Sequence, residues 1–219
     1  MSAPDYWNHN VHYQRLILRA VPAGCGTALD IGCGDGMLVR KLADRCAHVT
    51  GIDSEPEMIA LARERTRNTC VSFVEADFLS YPETETGYFD FICANTSLHH
   101  MDFEQALDNI ARLLRPGGRA AVIGLAKDAS PRDYLTAAAS LPVDSLYKVV
   151  HNVGDPGAPI KDPDMSWRDV RTTAGQVLPG VRYRRHLLWR YSLRWDKPVL
   201  GRTSARVSEH IDLNDLSEP

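Results

Sequence analysis

Along the first 125 residues, short runs rich in apolar residues alternate with longer stretches in which apolar positions recur every three or four residues. The runs at 28–31, 48–53, 71–76, 89–94 and 120–125 have the length and continuity of buried strands. Between them the period is helical. Tyr13, Leu16, Ile17 and Ala20 share one face of a helix over 10–20, and Leu107, Ile110, Ala111 and Leu114 share one face of another. The second helix has a start signal in Asp102 with Gln105 three residues on, and a stop at Pro116. Ser54, with Pro56 and Glu57 behind it, marks a further start in the form of a capping box. Strands alternating with helices of this length predict an α/β domain whose parallel sheet is covered on both faces, with a ligand at the carboxyl ends of the strands.

The chemistry sits at those ends. The first strand leads through Asp30 into Gly32-Cys33-Gly34-Asp35-Gly36 before a helix begins near Met37. Alternating glycines let backbone approach a ligand where side chains would collide. The spacing is G-x-G-x-G rather than the G-x-G-x-x-G that wraps a pyrophosphate, and Asp30 repels phosphate while attracting an amino group. Asp53 closes the second strand 21 positions after Gly32, the place of an acid that takes ribose hydroxyls. Asp77-Phe78 follows the third strand and Asn95 the fourth. Asp30, Asp53, Asp77 and Asn95 are thus placed on one rim.

Five ordered elements carry a family resemblance: the glycine turn, Asp53, Asp77-Phe78, Asn95 to Met101, and Leu113-Leu114-Arg115-Pro116-Gly117-Gly118. Together they resemble class I, Rossmann-like S-adenosylmethionine-dependent methyltransferases of the small-molecule type, in the manner of methyltransferase domains 11 and 25. The resemblance implies a doubly wound, mostly parallel seven-stranded sheet with an antiparallel last strand and a helical cap after the fifth strand. It implies S-adenosyl-L-methionine as cofactor and S-adenosyl-L-homocysteine as product. The implied cofactor residues are Asp30, Gly32, Cys33, Gly34, Gly36, Asp53, Ser54, Met58, Asp77, Phe78 and Asn95. Asp77 would accept from the adenine amine, and Tyr13 would reach the methionine carboxylate unless it merely packs in the core. Cys33 reads equally as a small space-filler.

After residue 125 the pattern is irregular. One domain over 1–200 is expected, with an N-terminal lid helix in 1–21, a helical cap in 126–180 interrupted by a Gly/Pro-rich loop at 151–163, and a polar tail at 201–219. Ser130-Pro131-Arg132-Asp133 and Ser166-Trp167-Arg168-Asp169 are helix starts. Residues 181–195 alternate, but one strand of that length would span about 50 Å at roughly 3.3 Å per residue. The segment therefore divides near Leu188-Trp189 into an antiparallel pair, although no Gly or Asn marks the turn. Arginines 182, 184, 185, 190 and 194 fall on the solvated or helix-covering face by this alternation, a substrate-carboxylate contact being the sharper alternative.

Composition narrows the partners. With 25 basic and 28 acidic residues the net charge is −3, which gives no electrostatic case for nucleic acid or an anionic membrane. No apolar run reaches the roughly 18 residues of a spanning helix, and no secretory signal is read. Five cysteines without a C-x-x-C pair suit reduced thiols in a cytoplasm, and no metal site is expected. The expected function is methyl transfer to a small-molecule acceptor at O, N or C, with O favoured; monomer and homodimer stay open. His99, His100 and Tyr13 are the candidate catalytic groups, the histidine pair being alternatively a structural hydrogen-bonding element. A non-catalytic S-adenosylmethionine-binding module would share every cofactor residue. A nicotinamide-dependent oxidoreductase would share the fold but should show G-x-G-x-x-G.

Overall fold

The computed structural model describes residues 6–81, 86–130, 133, 154, 157 and 161–199. Within them lie strands β1 (Cys25–Ile31), β2 (Cys46–Asp53), β3 (Val71–Glu75), β4 (Phe89–Asn95), β5 (Leu114–Leu125), β6 (Arg182–Arg185) and β7 (Arg190–Asp196). They form one sheet in the order β3-β2-β1-β4-β5-β7-β6. β1 to β5 are parallel, and β7 runs antiparallel between β5 and β6. The chain builds outward from β1 to β3 and then, from β4, in the opposite direction, so a crevice opens at the carboxyl ends between β1 and β4.

Helices α1 (His9–Ala20), α2 (Met37–Leu42) and α3 (Pro56–Arg65) accompany one apolar layer; α4 (Phe103–Leu113) and α5 (Trp167–Val177) accompany the other. Along β4 the pleat sends Ile92 and Ala94 to the layer of α4 and α5, and Phe91 and Cys93 to that of α1 and α2. Both sides of β4 are dry, which is why Phe91, Ile92, Cys93 and Ala94 form an unbroken apolar run. α1 buries Tyr13, Ile17 and Ala20 as its spacing requires, and Asn8 caps it by accepting from the Val11 amide at 2.9 Å.

Several boundaries differ from the sequence reading. β5 begins at Leu114 rather than 120, carrying Pro116-Gly117 within it where the pairing with β4 shifts register. The capping box at Ser54 is not formed. Glu55 is the N-cap of α3 without a side-chain bond, and Asp53 Oδ1 accepts from the Glu55 amide at 3.0 Å instead. Asp102 does cap α4, and Ser166 with Asp169 makes a full capping box on α5. The final strands divide where expected, with Leu188 and Trp189 both left-handed at φ 54° and 57°. The alternation fails at that turn: Leu187 is exposed, Leu188 is buried, and Arg190 is buried instead of solvated. Of the cap, α5 is described; most of 131–160, with the greater part of the 151–163 loop, and the tail at 201–219 lie outside the described residues.

Candidate active site

The crevice is a cavity of about 240 Å³. β1 delivers Asp30 to it, and the chain then turns through Gly32, Gly34 and Gly36, all at positive φ. A Cβ at Gly32 would stand 2.3 Å from the Ser97 Cβ, so only glycine lets β1 exit against the β4 loop. A Cβ at Gly34 meets nothing within 4 Å, because that residue faces the open cavity. Gly32 and Cys33 amides both donate to Ile52 O, at 2.8 and 3.0 Å, and Gly34 donates to Asp53 Oδ2 at 2.8 Å. Asp53 thereby ties the glycine turn to the start of α3 and still presents its carboxylate to the cavity.

Asp30 is buried, with Cys93 Sγ donating to its Oδ1 at 3.3 Å. Burial pushes its carboxyl up to about 7, the Cys93 contact opposes this, and the charge of Asp53 adds to it. Asp77 Oδ1 accepts from the Leu79 amide at 2.9 Å, capping the short turn Phe78–Ser80. Asn95 Nδ2 donates to Asn10 O at 3.2 Å, while Asn95 Oδ1 and the neighbouring Thr96 Oγ1 are buried without partners. Thr96 is left-handed at φ 64°, a strained conformation for a β-branched residue at the end of β4.

The structure brings Asp30, Gly32, Cys33, Gly34, Asp53, Ser54, Asp77, Phe78, Asn95 and His100 together on this wall. Four expected residues are placed elsewhere. Gly36 turns inward, where a Cβ would meet the Phe73 ring at 2.8 Å. Met58 is buried on α3 away from the lining. The Tyr13 hydroxyl donates to Leu187 O at 2.7 Å, which commits it to the β6–β7 turn rather than to a ligand carboxylate. His99 lines a second cavity of about 220 Å³ against Leu125, Met165 and Tyr191. Its ring lies 4.2 Å from that of His100. Burial, then the neighbouring His100, lowers His99 to about 4; burial followed by Lys161 lowers His100 as well. Both imidazoles are therefore neutral at pH 7. Burial pushes the Cys33 thiol up, which leaves it an inert part of the wall.

Sequence reasoning missed Asp35, Asn10 and Thr96. Asp35 is buried within the glycine turn, where it accepts from Arg65 at 2.6 Å and from the Tyr6 hydroxyl at 3.4 Å. An acid between two glycines was the available signal for it. Nothing in the sequence marks Asn10, which reaches the cavity only because α1 packs across β4 and β5. Asp30, Asp35, Asp53, Glu55 and Asp77 line the cavity with no lysine or arginine among its described lining residues. That donor set fits a cationic nucleoside without phosphate, and the open face at Gly34 leaves room for it. Among the described residues no group of three metal ligands occurs, and no helix is long and apolar enough to cross a membrane.

Comparison with known proteins agrees with this geometry. The family described as Methyltransferase domain matches residues 28–118. A protein described as an uncharacterized methyltransferase in Mycobacterium tuberculosis is 33% identical over 195 residues, covering 88% of this chain and 98% of that one. The ubiquinone biosynthesis O-methyltransferase of Xylella fastidiosa is 37% identical over 109 residues, 47% of this chain and 43% of that one. Among solved structures, the N-methyltransferase NodS from Bradyrhizobium japonicum, in complex with S-adenosyl-L-homocysteine, superposes with a TM-score of 0.59 at 21% identity, covering 87% of this chain and 89% of that one. The chain belongs to the class I, Rossmann-like S-adenosylmethionine-dependent methyltransferase family. Membership sets aside the nicotinamide alternative.

Proposed function

We propose that this protein transfers a methyl group from S-adenosylmethionine to a small-molecule acceptor, with oxygen favoured over nitrogen or carbon as the receiving atom. The observation that carries the reading is the cavity wall, whose described lining residues include five carboxylates and no lysine or arginine. The bound donor supplies a methyl group already activated on a positively charged sulfur, so alignment and exclusion of water are the main demands on the protein. Asp30 would hold the ammonium, Asp53 the ribose hydroxyls, and Asp77 with the Phe78 backbone the adenine. Ser54 and the open face of Gly34 would complete the cradle.

His100 lines the same cavity with its imidazole neutral, leaving a lone pair to take the proton that an acceptor hydroxyl loses as its oxygen gains the methyl group. A neutral imidazole next to a cationic donor matches a hydroxyl acceptor better than an already basic amine, which needs no base. Similarity to an O-methyltransferase supports the same choice. The free cysteines, four of them buried, support a reducing, cytoplasmic setting. Incubation with methyl-labelled S-adenosylmethionine and a metabolite extract, followed by mass identification of the labelled product, tests the proposal. The expected result is a labelled methyl ether or ester. A protein that binds S-adenosylhomocysteine but labels nothing would be a binding module instead.

A further inference from the structure

Most buried charges among the described residues are matched. Asp35 pairs with Arg65, Asp90 with Arg115 and Asp133 with Arg185. Two are not, and both stand at the carboxyl rim. Asp30, at the end of β1, faces the donor cavity. Arg190, at the start of β7 beside Leu125 of β5, is 7% exposed. Its Nη1 donates to Leu188 O at 3.1 Å and its Nη2 to Asn10 Oδ1 at 2.7 Å, while Nε is buried without a partner. No carboxylate pairs with it among the described residues. A guanidinium taken out of water without a counter-charge is costly, and a ligand that brings the missing charge offsets that cost.

The position points the same way. Asn10, which touches Arg190, also lines the donor cavity and holds Asn95 through its backbone carbonyl. On that stretch of wall Asn95 Oδ1 and Thr96 Oγ1 are buried and unpartnered too. The rim is therefore divided, with carboxylates at the ends of β1 and β2 and after β3, and unsatisfied polar groups with one buried cation, among the described residues, at the ends of β4 and β5. Resting on the methyltransferase reading, we infer that Arg190 binds a carboxylate carried by the methyl acceptor, reached from the cavity beside Asn10. One guanidinium, with no second lysine or arginine bonded to Asn10, Asn95 or Thr96 among the described residues, balances the single charge of a carboxylate rather than the two of a phosphate monoester. Burial lowers the guanidinium to about 10, so it is charged throughout the physiological range.

The test is equilibrium binding to the full chain saturated with S-adenosylhomocysteine. Matched pairs of small carboxylates and their primary amides (acetate, phenylacetate and 4-hydroxybenzoate, each with its amide) are titrated while Tm is followed, with inorganic phosphate at equal ionic strength as a further probe. The expected result is that at least one carboxylate raises Tm in a salt-sensitive way and its amide binds at least tenfold more weakly. Arg190→Gln should abolish that response while S-adenosylhomocysteine affinity stays within about twofold. Arg190→Lys, which keeps the charge if the glutamine variant does not fold, should retain a reduced response. The inference is overturned if no carboxylate binds, if amides bind as well, if phosphate binds more tightly than every carboxylate, or if the variants lower Tm yet leave the carboxylate response intact. Failure of S-adenosylhomocysteine itself to bind would instead strike the proposed function.

Discussion

Asp30 is the residue at which the proposed ligand binding would couple most directly to folding. Its carboxyl titrates near 7 in the folded protein, against 3.8 as the ordinary value. Between those pH values the folded chain binds the extra proton, so stability falls as pH rises from about 4 and the full penalty is present above 7. Asp30→Asn removes the penalty. At pH 8 it should be more stable than wild type by about 1–4 kcal/mol in urea unfolding, a gain that shrinks toward pH 5. The same variant should lose S-adenosylhomocysteine affinity, and the wild-type rise in affinity through pH 7 should vanish with it. Asp53→Ala should weaken binding by about 1.5–3 kcal/mol in calorimetry, since it removes a charged partner and unfastens Gly34. Gly34→Val, at φ 53° and facing the cavity, should do at least as much harm. Normal binding by both would displace the donor from this wall. Asp30, Asp53 and Asp77 were legible in the sequence because each falls at the end of a strand, and strand ends share a rim. Arg190 was not, because its burial depends on where the β6–β7 turn falls, and two-residue alternation places it on the wet side.

At the scale of elements, helix starts separate what a local motif can promise from what tertiary contacts allow. Ser166-Trp167-Arg168-Asp169 and Ser54-Glu55-Pro56-Glu57 both read as starts. The first forms its reciprocal bonds, the Asp169 amide donating to Ser166 Oγ at 3.2 Å and the Ser166 amide to Asp169 Oδ2 at 3.3 Å. The second does not, because Asp53 is already bonded to the glycine turn and takes the Glu55 amide as well, which moves the cap one residue along. Ser166→Ala should therefore cost about 1 kcal/mol in chemical denaturation. Ser54→Ala should stay within about 0.5 kcal/mol, and equal costs would mean that the two starts are built alike. The early beginning of β5 has a similar cause. Pro116 and Gly117 read as punctuation, yet Leu114 pairs with Phe89 before them and the ladder resumes at Arg119 opposite Phe91. The hairpin of β6 and β7 was placed by length alone, since neither Leu188 nor Trp189 is a residue that left-handed turns favour.

At the scale of the whole molecule, the α/β architecture and the proposed donor half of the site follow from periodicity and strand-end acids, whereas the proposed acceptor half depends on how distant segments meet over the rim. The start of the chain is one of these. Tyr6 donates to Asp35 in the glycine turn, Asn8 Nδ2 to Gly154 O at 3.3 Å, and the Gly154 amide to Trp7 O at 3.1 Å. Tyr6, Asn8 and Asn10 all line the cavity, so these bonds make a clasp on one of its walls, and a ligand that touches that wall is held better while they are made. Ligand bound under the clasp must then oppose its opening by mass action. With S-adenosylhomocysteine at 100 times its Kd, hydrogen exchange across residues 6–13 should slow toward the limit of about 100-fold set by about 2.7 kcal/mol. Amides of α5, which lines no part of this cavity, should slow less. If residues 6–13 show the same protection with and without ligand, the chain start is fixed packing, and donor and acceptor must enter past the β4 side of the rim.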